Sequence, residues 1–449
     1  MDFKTRKKYY NLCRPYEPLE PDDPRNIDID TYSEELGNPV RGVNWADRLV
    51  EEISLSDKPV FKLFTGLPGS GKSTELKRMA ERLSRKDEGN LFPVYINAED
   101  VIDLKNPIDV VDIVSAAVHS AEKELIRRKG DDPEKALEEG YLARLWNWLN
   151  NTDVKLGKGE FSIPSAGKLV AEMKTRPSLR QRIRSTIAAH LTHFLGEAHD
   201  ELELIKADAK AAFGVDGMVV VFDSLEKLRG ISTNWDQVLE SAEQIFGGGA
   251  PYVRLPVNVL YTVPAALTTR IMDVDFMPMI KVCDKEKNSH APGIETAREL
   301  IRRRIPDEVI VELFGDSAEE RVERLICWSG GYPREIIQIL QNVIAQKTHP
   351  IPEGTLKHIK ADIANQYRMI VTADAFDWLA SVAKTKFLTI ENDEHRRAAD
   401  LMLANHAVLR YLNDDLWFEL HPAVYEIPGV QQAIREWGGD EVAGYCEPE

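Results

Sequence analysis

The chain has 449 residues, of which 43% are hydrophobic and 29% charged, and 57 Lys and Arg against 74 Asp and Glu give a formal charge of −17. That length holds about two to four domains with full cores; no apolar run reaches the roughly 18 residues of a membrane span, and the acidic balance excludes a surface built throughout for nucleic acid. Cys13, Cys283, Cys327 and Cys446 are widely scattered and form no C-x-x-C pair, so neither a zinc knuckle nor a disulfide framework is implied.

The basic start, Met1–Lys8, is followed by no apolar stretch, so it does not read as a secretory signal, and a cytoplasmic location is expected. Residues 11–38 are rich in proline and acid and lack periodicity, so 1–38 is expected to be an extended arm. Trp45, Leu49, Val50 and Ile53 recur at helical spacing, and Val60–Phe64 then reads as a short buried strand. A second strand is expected at Leu91–Ile96.

Between these two strands the segment Gly66-Leu67-Pro68-Gly69-Ser70-Gly71-Lys72-Ser73-Thr74 fits G-x-x-x-x-G-K-[ST]. Glycines 66, 69 and 71 let the backbone turn tightly and aim N–H groups at phosphate, and Lys72 adds a point charge for the β- and γ-phosphates. Ser73 opens the next helix, where its hydroxyl can ligate Mg²⁺ and the helix dipole favours an anion. Leu76, Met79, Ala80 and Leu83 give that helix one apolar stripe.

From about 107 to 213 the pattern is helical and charged, with helices expected over 110–128, 133–149, 166–174 and 179–212, a large insertion in an α/β domain. Met218–Phe222 and Val257–Thr262 are apolar runs of the kind buried parallel strands need. Helices follow at 295–304, 318–329 and 335–346. Residues 351–449 give further helices, then strands at 407–412 and 416–420 around an Asn413-Asp414-Asp415 turn, a hairpin that suggests a winged-helix module. The organisation expected is therefore an arm over 1–38, a P-loop core over 39–293 with its insertion, a helical lid over 294–350 and a winged-helix-like module over 351–449.

A phosphate loop needs a carboxylate at the end of a neighbouring strand to hold Mg²⁺. Asp223 fits, and Glu226 three residues on can act as general base on the attacking water. The run ending Asp223-Ser224-Leu225-Glu226-Lys227-Leu228 resembles the extended Walker B of STAND and NACHT P-loop ATPases, and departs from the adjacent Asp-Glu pair of AAA+ motors. Asn38–Trp45 resembles the linker that wraps adenine in these families, implying Arg41 and Val43 at the nucleotide. Tyr261-Thr262-Val263-Pro264 resembles a sensor-1 strand end, with Thr262 or Asn258 toward the γ-phosphate or the catalytic water. Ser329-Gly330-Gly331-Tyr332-Pro333-Arg334 resembles the Gly-x-Pro lid motif, placing Arg334 as sensor 2.

The resemblance to AAA+/STAND-like ATPases implies ATP and Mg²⁺ as cofactors, a homo-oligomer and a nucleotide-dependent switch acting on a protein effector, with bacterial antiphage defence as its setting. Arginine clusters at 298, 302–304 and 176–184 are candidates for a finger in trans. A DNA-acting initiator or loader is the alternative, disfavoured because 351–449 carries 9 Lys and Arg against 17 Asp and Glu. A small-molecule kinase shares the loop but needs neither the lid turn nor the hairpin.

Overall fold

Strand β1 (Phe61–Gly66) lies inside a five-stranded sheet, with β2 (Leu91–Asn97), β3 (Gly217–Asp223), β4 (Asn258–Thr262) and β5 (Val274–Met277) in the order β2-β3-β4-β1-β5, and so between β4 and the edge strand β5. This computed structural model describes residues 1–137, 140–151, 168–228, 233–412 and 415–438. They form two compact units, one made of 1–45, 66–75 and 276–449, the other of 46–65 and 76–275. The linear division read from the sequence and this interleaved one cut the chain at different places.

In the second unit β2 runs parallel to β3, β3 to β4 and β4 to β1. Parallel strands carry partners on both faces, and Val219, Val220, Val221 and Phe222 are accordingly all fully buried. The register sets Phe64 level with Thr262, and Phe222 level with Tyr261. Thr262 therefore sits one step beyond that second pair, alongside Asp223.

The insertion is helical, as expected. Its first helix, Val110–Lys129, opens on a reciprocal Asp109–Asp112 capping box and closes on Gly130 in the left-handed conformation. The single helix expected over 179–212 is two, Pro177–Ala188 and Leu191–Phe213, because His190 leaves helical backbone at φ −133°. The stretch 133–149 likewise holds Pro133–Ala136 and Tyr141–Asn151.

The first unit begins with two helices where an extended arm was expected. Asp2 caps Phe3–Leu12, and the Asp28 side chain accepts the Thr31 N–H to cap Ile29–Glu35. Each is a local Asp signal that acts without apolar periodicity. The lid comprises Ala291–Arg302, Asp307–Phe314, Ala318–Trp328 and Pro333–Ala345. The C-terminal module has helices Glu353–Ile370, Phe376–Thr385 and Asp393–Ala404, then antiparallel strands β6 (Val408–Leu412) and β7 (Leu416–Leu420). Tyr411 and Trp417 stack across that hairpin with ring centroids 4.5 Å apart. Most of the Asn413–Asp415 turn lies outside the described residues, as does Cys446. The fold is an α/β P-loop core with a helical insertion, followed by an all-helical lid and a winged-helix-like module. Among the described residues no helix is long and apolar enough to cross a membrane.

Candidate nucleotide-binding site

The loop after β1 is shaped by its own backbone. The Ser70 N–H bonds the Leu67 carbonyl at 3.1 Å, and the Thr74 and Glu75 N–H groups both bond the Gly71 carbonyl, starting the helix Lys72–Leu83. Gly69 has φ +89°, a conformation side chains resist, and a Cβ there would stand 2.7 Å from Arg334 Nε and 2.8 Å from the Tyr332 hydroxyl. Lys72, 3% exposed, donates to the Gly66 carbonyl at 2.8 Å and the Leu67 carbonyl at 3.3 Å. The Ser70 hydroxyl is buried without a hydrogen-bond partner. A buried unpaired hydroxyl is costly, so its position in an anion cradle suits a ligand oxygen.

Within the first unit, Gly69, Gly71 and Thr74 open on a cleft of about 600 Å³, including the space continuous with solvent. The lid contributes Leu300, Arg304, Pro333, Arg334 and Ile337, and the N-terminal segment supplies Pro15, Leu19, Ile27 and Ile29. Residues of the phosphate loop thus stand at one place on the wall and apolar side chains at another, the two chemistries a nucleotide combines. Arg334 reaches this cleft with its guanidinium over the Tyr16 ring, 5.1 Å from the centroid. Burial, reinforced by the nearby Arg25 charge and opposed by Asp23 and Glu17, lowers the pKa of Arg304 to about 10.

Arg41 and Val43 do not line the cleft. Arg41 is fully buried and lies between carboxylates, 3.5 Å from Asp30 and 3.4 Å from Glu75, with another guanidinium nitrogen on Met277 Sδ at 3.0 Å. Its role is to join the N-terminal segment to the first turn of the loop helix.

The second unit gathers Asp223, Glu226 and Thr262. Asp223 is 3% exposed; its carboxylate accepts the Tyr95 hydroxyl and the Ser224 N–H, both at 2.7 Å. Ser224 at φ +69° then reverses the chain into a single 3-10 turn, Leu225–Lys227, which carries buried Glu226. Asn258 is corrected as a sensor candidate. It begins β4, at the end away from Asp223, and its amide joins strands by accepting the Val60 N–H at 2.9 Å and donating to the Met218 carbonyl at 3.4 Å.

Several candidate finger arginines are engaged by carboxylates: Arg180 with Asp103, Arg184 with Asp112, Arg298 with Glu295 and Glu323, and Arg303 with Glu299. Sequence reasoning missed the cleft wall at 14–29, whose apolar residues have no period, and the part played by Tyr332 within the motif it quoted. No group of three or more acidic, His or Cys residues among the described ones could hold a metal by itself.

No family model matches the chain, and no curated protein does. Among solved structures it is similar to the ORC1 protein of Aeropyrum pernix in complex with DNA, at 12% identity over 94% of this chain and 97% of that one, with a TM-score of 0.33. The ORC2 protein of Aeropyrum pernix, as ADPNP–ADP complexes, is similar at 13% identity over 95% and 98%, TM-score 0.37. Cdc6p from Pyrobaculum aerophilum is similar at 12% identity over 95% and 98%, TM-score 0.33.

Proposed function

We propose that the chain is an ATP-binding and ATP-hydrolysing P-loop ATPase that works as a nucleotide-dependent switch. The observation that carries this reading is that the loop glycines and Arg334 open on one cleft with an apolar wall. The loop N–H groups and Lys72 hold the triphosphate, and Arg334 answers its charge from the lid. Mg²⁺ arrives with the nucleotide, and Ser73 and Asp223 are its proposed protein ligands. Glu226 is the proposed base for the attacking water, on a turn held by Thr262. Closing the lid on ATP and releasing it after hydrolysis would reposition the C-terminal module, in a homo-oligomer or against a protein effector.

A DNA-acting initiator or loader is the second reading, because the chain ends in a winged-helix-like module. The helix Asp393–Ala404 before its hairpin begins with exposed acids, Asp393 and Glu394, which repel phosphate. A defence role rests on the family resemblance alone and adds no residue to the site. The test is phosphate release from Mg·ATP by the purified chain alone and with duplex DNA, while native mass is followed against nucleotide. Nucleotide-dependent assembly without DNA stimulation supports the switch. Hydrolysis stimulated by DNA moves the reading to the loader, and a phosphorylated small molecule as product moves it to a kinase.

A further inference from the structure

The lid turn that presents Arg334 also touches the phosphate loop and the C-terminal module. The Tyr332 hydroxyl donates to the Pro68 carbonyl at 2.7 Å. The same ring stacks on His406, with centroids 4.9 Å apart and planes 23° from parallel. His406 connects the helix Asp393–Ala404 to β6. Two residues before Tyr332, the Gly330 carbonyl accepts the hydroxyl of Tyr411 on β6 at 2.6 Å. Gly331, at φ +71°, lies so close to the Ile280 carbonyl that a Cβ would collide with it. The turn is thus clamped from several sides, with Tyr332 only 5% exposed.

A trans peptide unit is planar, so its C=O and N–H point in opposite directions. A donor that holds the Pro68 carbonyl on the lid side therefore holds the Gly69 N–H on the other. Gly69 has the backbone freedom to let that unit rotate. Burial raises the Tyr332 hydroxyl above the ordinary phenol range, so it remains a donor at working pH.

Building on the ATP reading above, we propose that Tyr332 is a positioning residue: its hydroxyl sets the Pro68–Gly69 peptide for phosphate binding, and its ring passes the loop's state to His406 and the hairpin. It acts through backbone at one end and by stacking at the other, so the two halves separate by mutation.

The experiment uses the full chain with Tyr332→Phe and His406→Ala. For each, the affinity for a fluorescent ATP analogue with Mg²⁺, the melting temperature and the amide exchange of Val408–Leu412 with and without nucleotide are measured. Tyr332→Phe should weaken nucleotide binding about three- to tenfold, the effect of one hydrogen bond, with melting lowered by no more than a few degrees. His406→Ala should keep affinity within about twofold while losing most of the nucleotide-dependent change in hairpin exchange. Wild-type affinity in Tyr332→Phe overturns the positioning role, and a hairpin that still responds in His406→Ala overturns the link. A wild-type chain that binds no nucleotide overturns the ATP reading itself, a result distinct from binding that the variants leave untouched.

Discussion

The Thr262 hydroxyl accepts the Leu225 N–H at 2.9 Å, tying the end of β4 to the turn that follows Asp223. Thr262 is fully buried, so its side chain holds that turn whatever else it touches. Thr262→Val keeps the shape and deletes the acceptor, leaving a buried N–H unpaired at a cost of about 1–3 kcal/mol. The expected outcome is a lower melting temperature and slower ATP hydrolysis with ATP affinity nearly kept. Wild-type turnover at wild-type stability would show that the turn does not depend on this bond.

Glu226 is 7% exposed on that turn, three residues after Asp223. Glu226→Gln preserves volume and removes the proton acceptor. It should retain ATP while lowering single-turnover hydrolysis by about 100-fold or more, the range of a lost general base. Lys72→Ala is its complement and should abolish nucleotide binding, as read by titration with a fluorescent analogue. Hydrolysis in Glu226→Gln at the wild-type rate would assign the water to another residue.

What was legible in the sequence was local. The strand, loop and helix around Gly66–Thr74, the buried run ending at Asp223 and the hairpin at 408–420 each announce themselves within a dozen residues, through glycines, β-branched runs or alternation. The first 38 residues resemble an extended arm in sequence because the caps at Asp2 and Asp28 carry no periodic signal. Asn258 misled because a strand's two ends look alike in a run of apolar residues, and only the parallel register says which end meets Asp223. The cleft wall at 14–29 and the burial of Arg41 were illegible for another reason. Their partners lie up to hundreds of residues away, such as Met277 for Arg41, and no spacing encodes such a contact.

Arg41 offers a test of that buried network. Burial pushes the Asp30 carboxyl up to about 7, against the attraction of Arg41. Removing Arg41 leaves two buried acids without their cation, so Arg41→Met should cost about 3–5 kcal/mol. Asp30→Asn should cost much less, since an amide oxygen can still accept the Trp45 N–H that Asp30 now accepts at 3.1 Å. Urea unfolding of the two variants checks the ranking, and equal losses would mean that packing, not charge, holds the segment.

The helix Val110–Lys129 carries two titrating groups whose effects oppose each other. Burial, with the nearby Glu201 charge, raises the Glu122 carboxyl to about 7, while burial, with Lys123 assisting, lowers His119 to about 4. An unfolded Glu titrates near 4.3 and an unfolded His near 6.5. The Glu122 contribution is therefore fully present below about 4.3 and is lost as pH rises through about 7. The His119 contribution is fully present above about 6.5 and is lost as pH falls through about 4. Between about 4.3 and 6.5 the two slopes have opposite sign and largely cancel. Glu122→Gln should expose the histidine, so that stability climbs with pH across this window by at most about 1.4 kcal/mol per unit. His119→Gln should do the reverse, and because both side chains are only half-buried both slopes should fall short of that limit. Denaturation midpoints across the window decide the matter, and variant profiles parallel to the wild type would show that neither group titrates with folding.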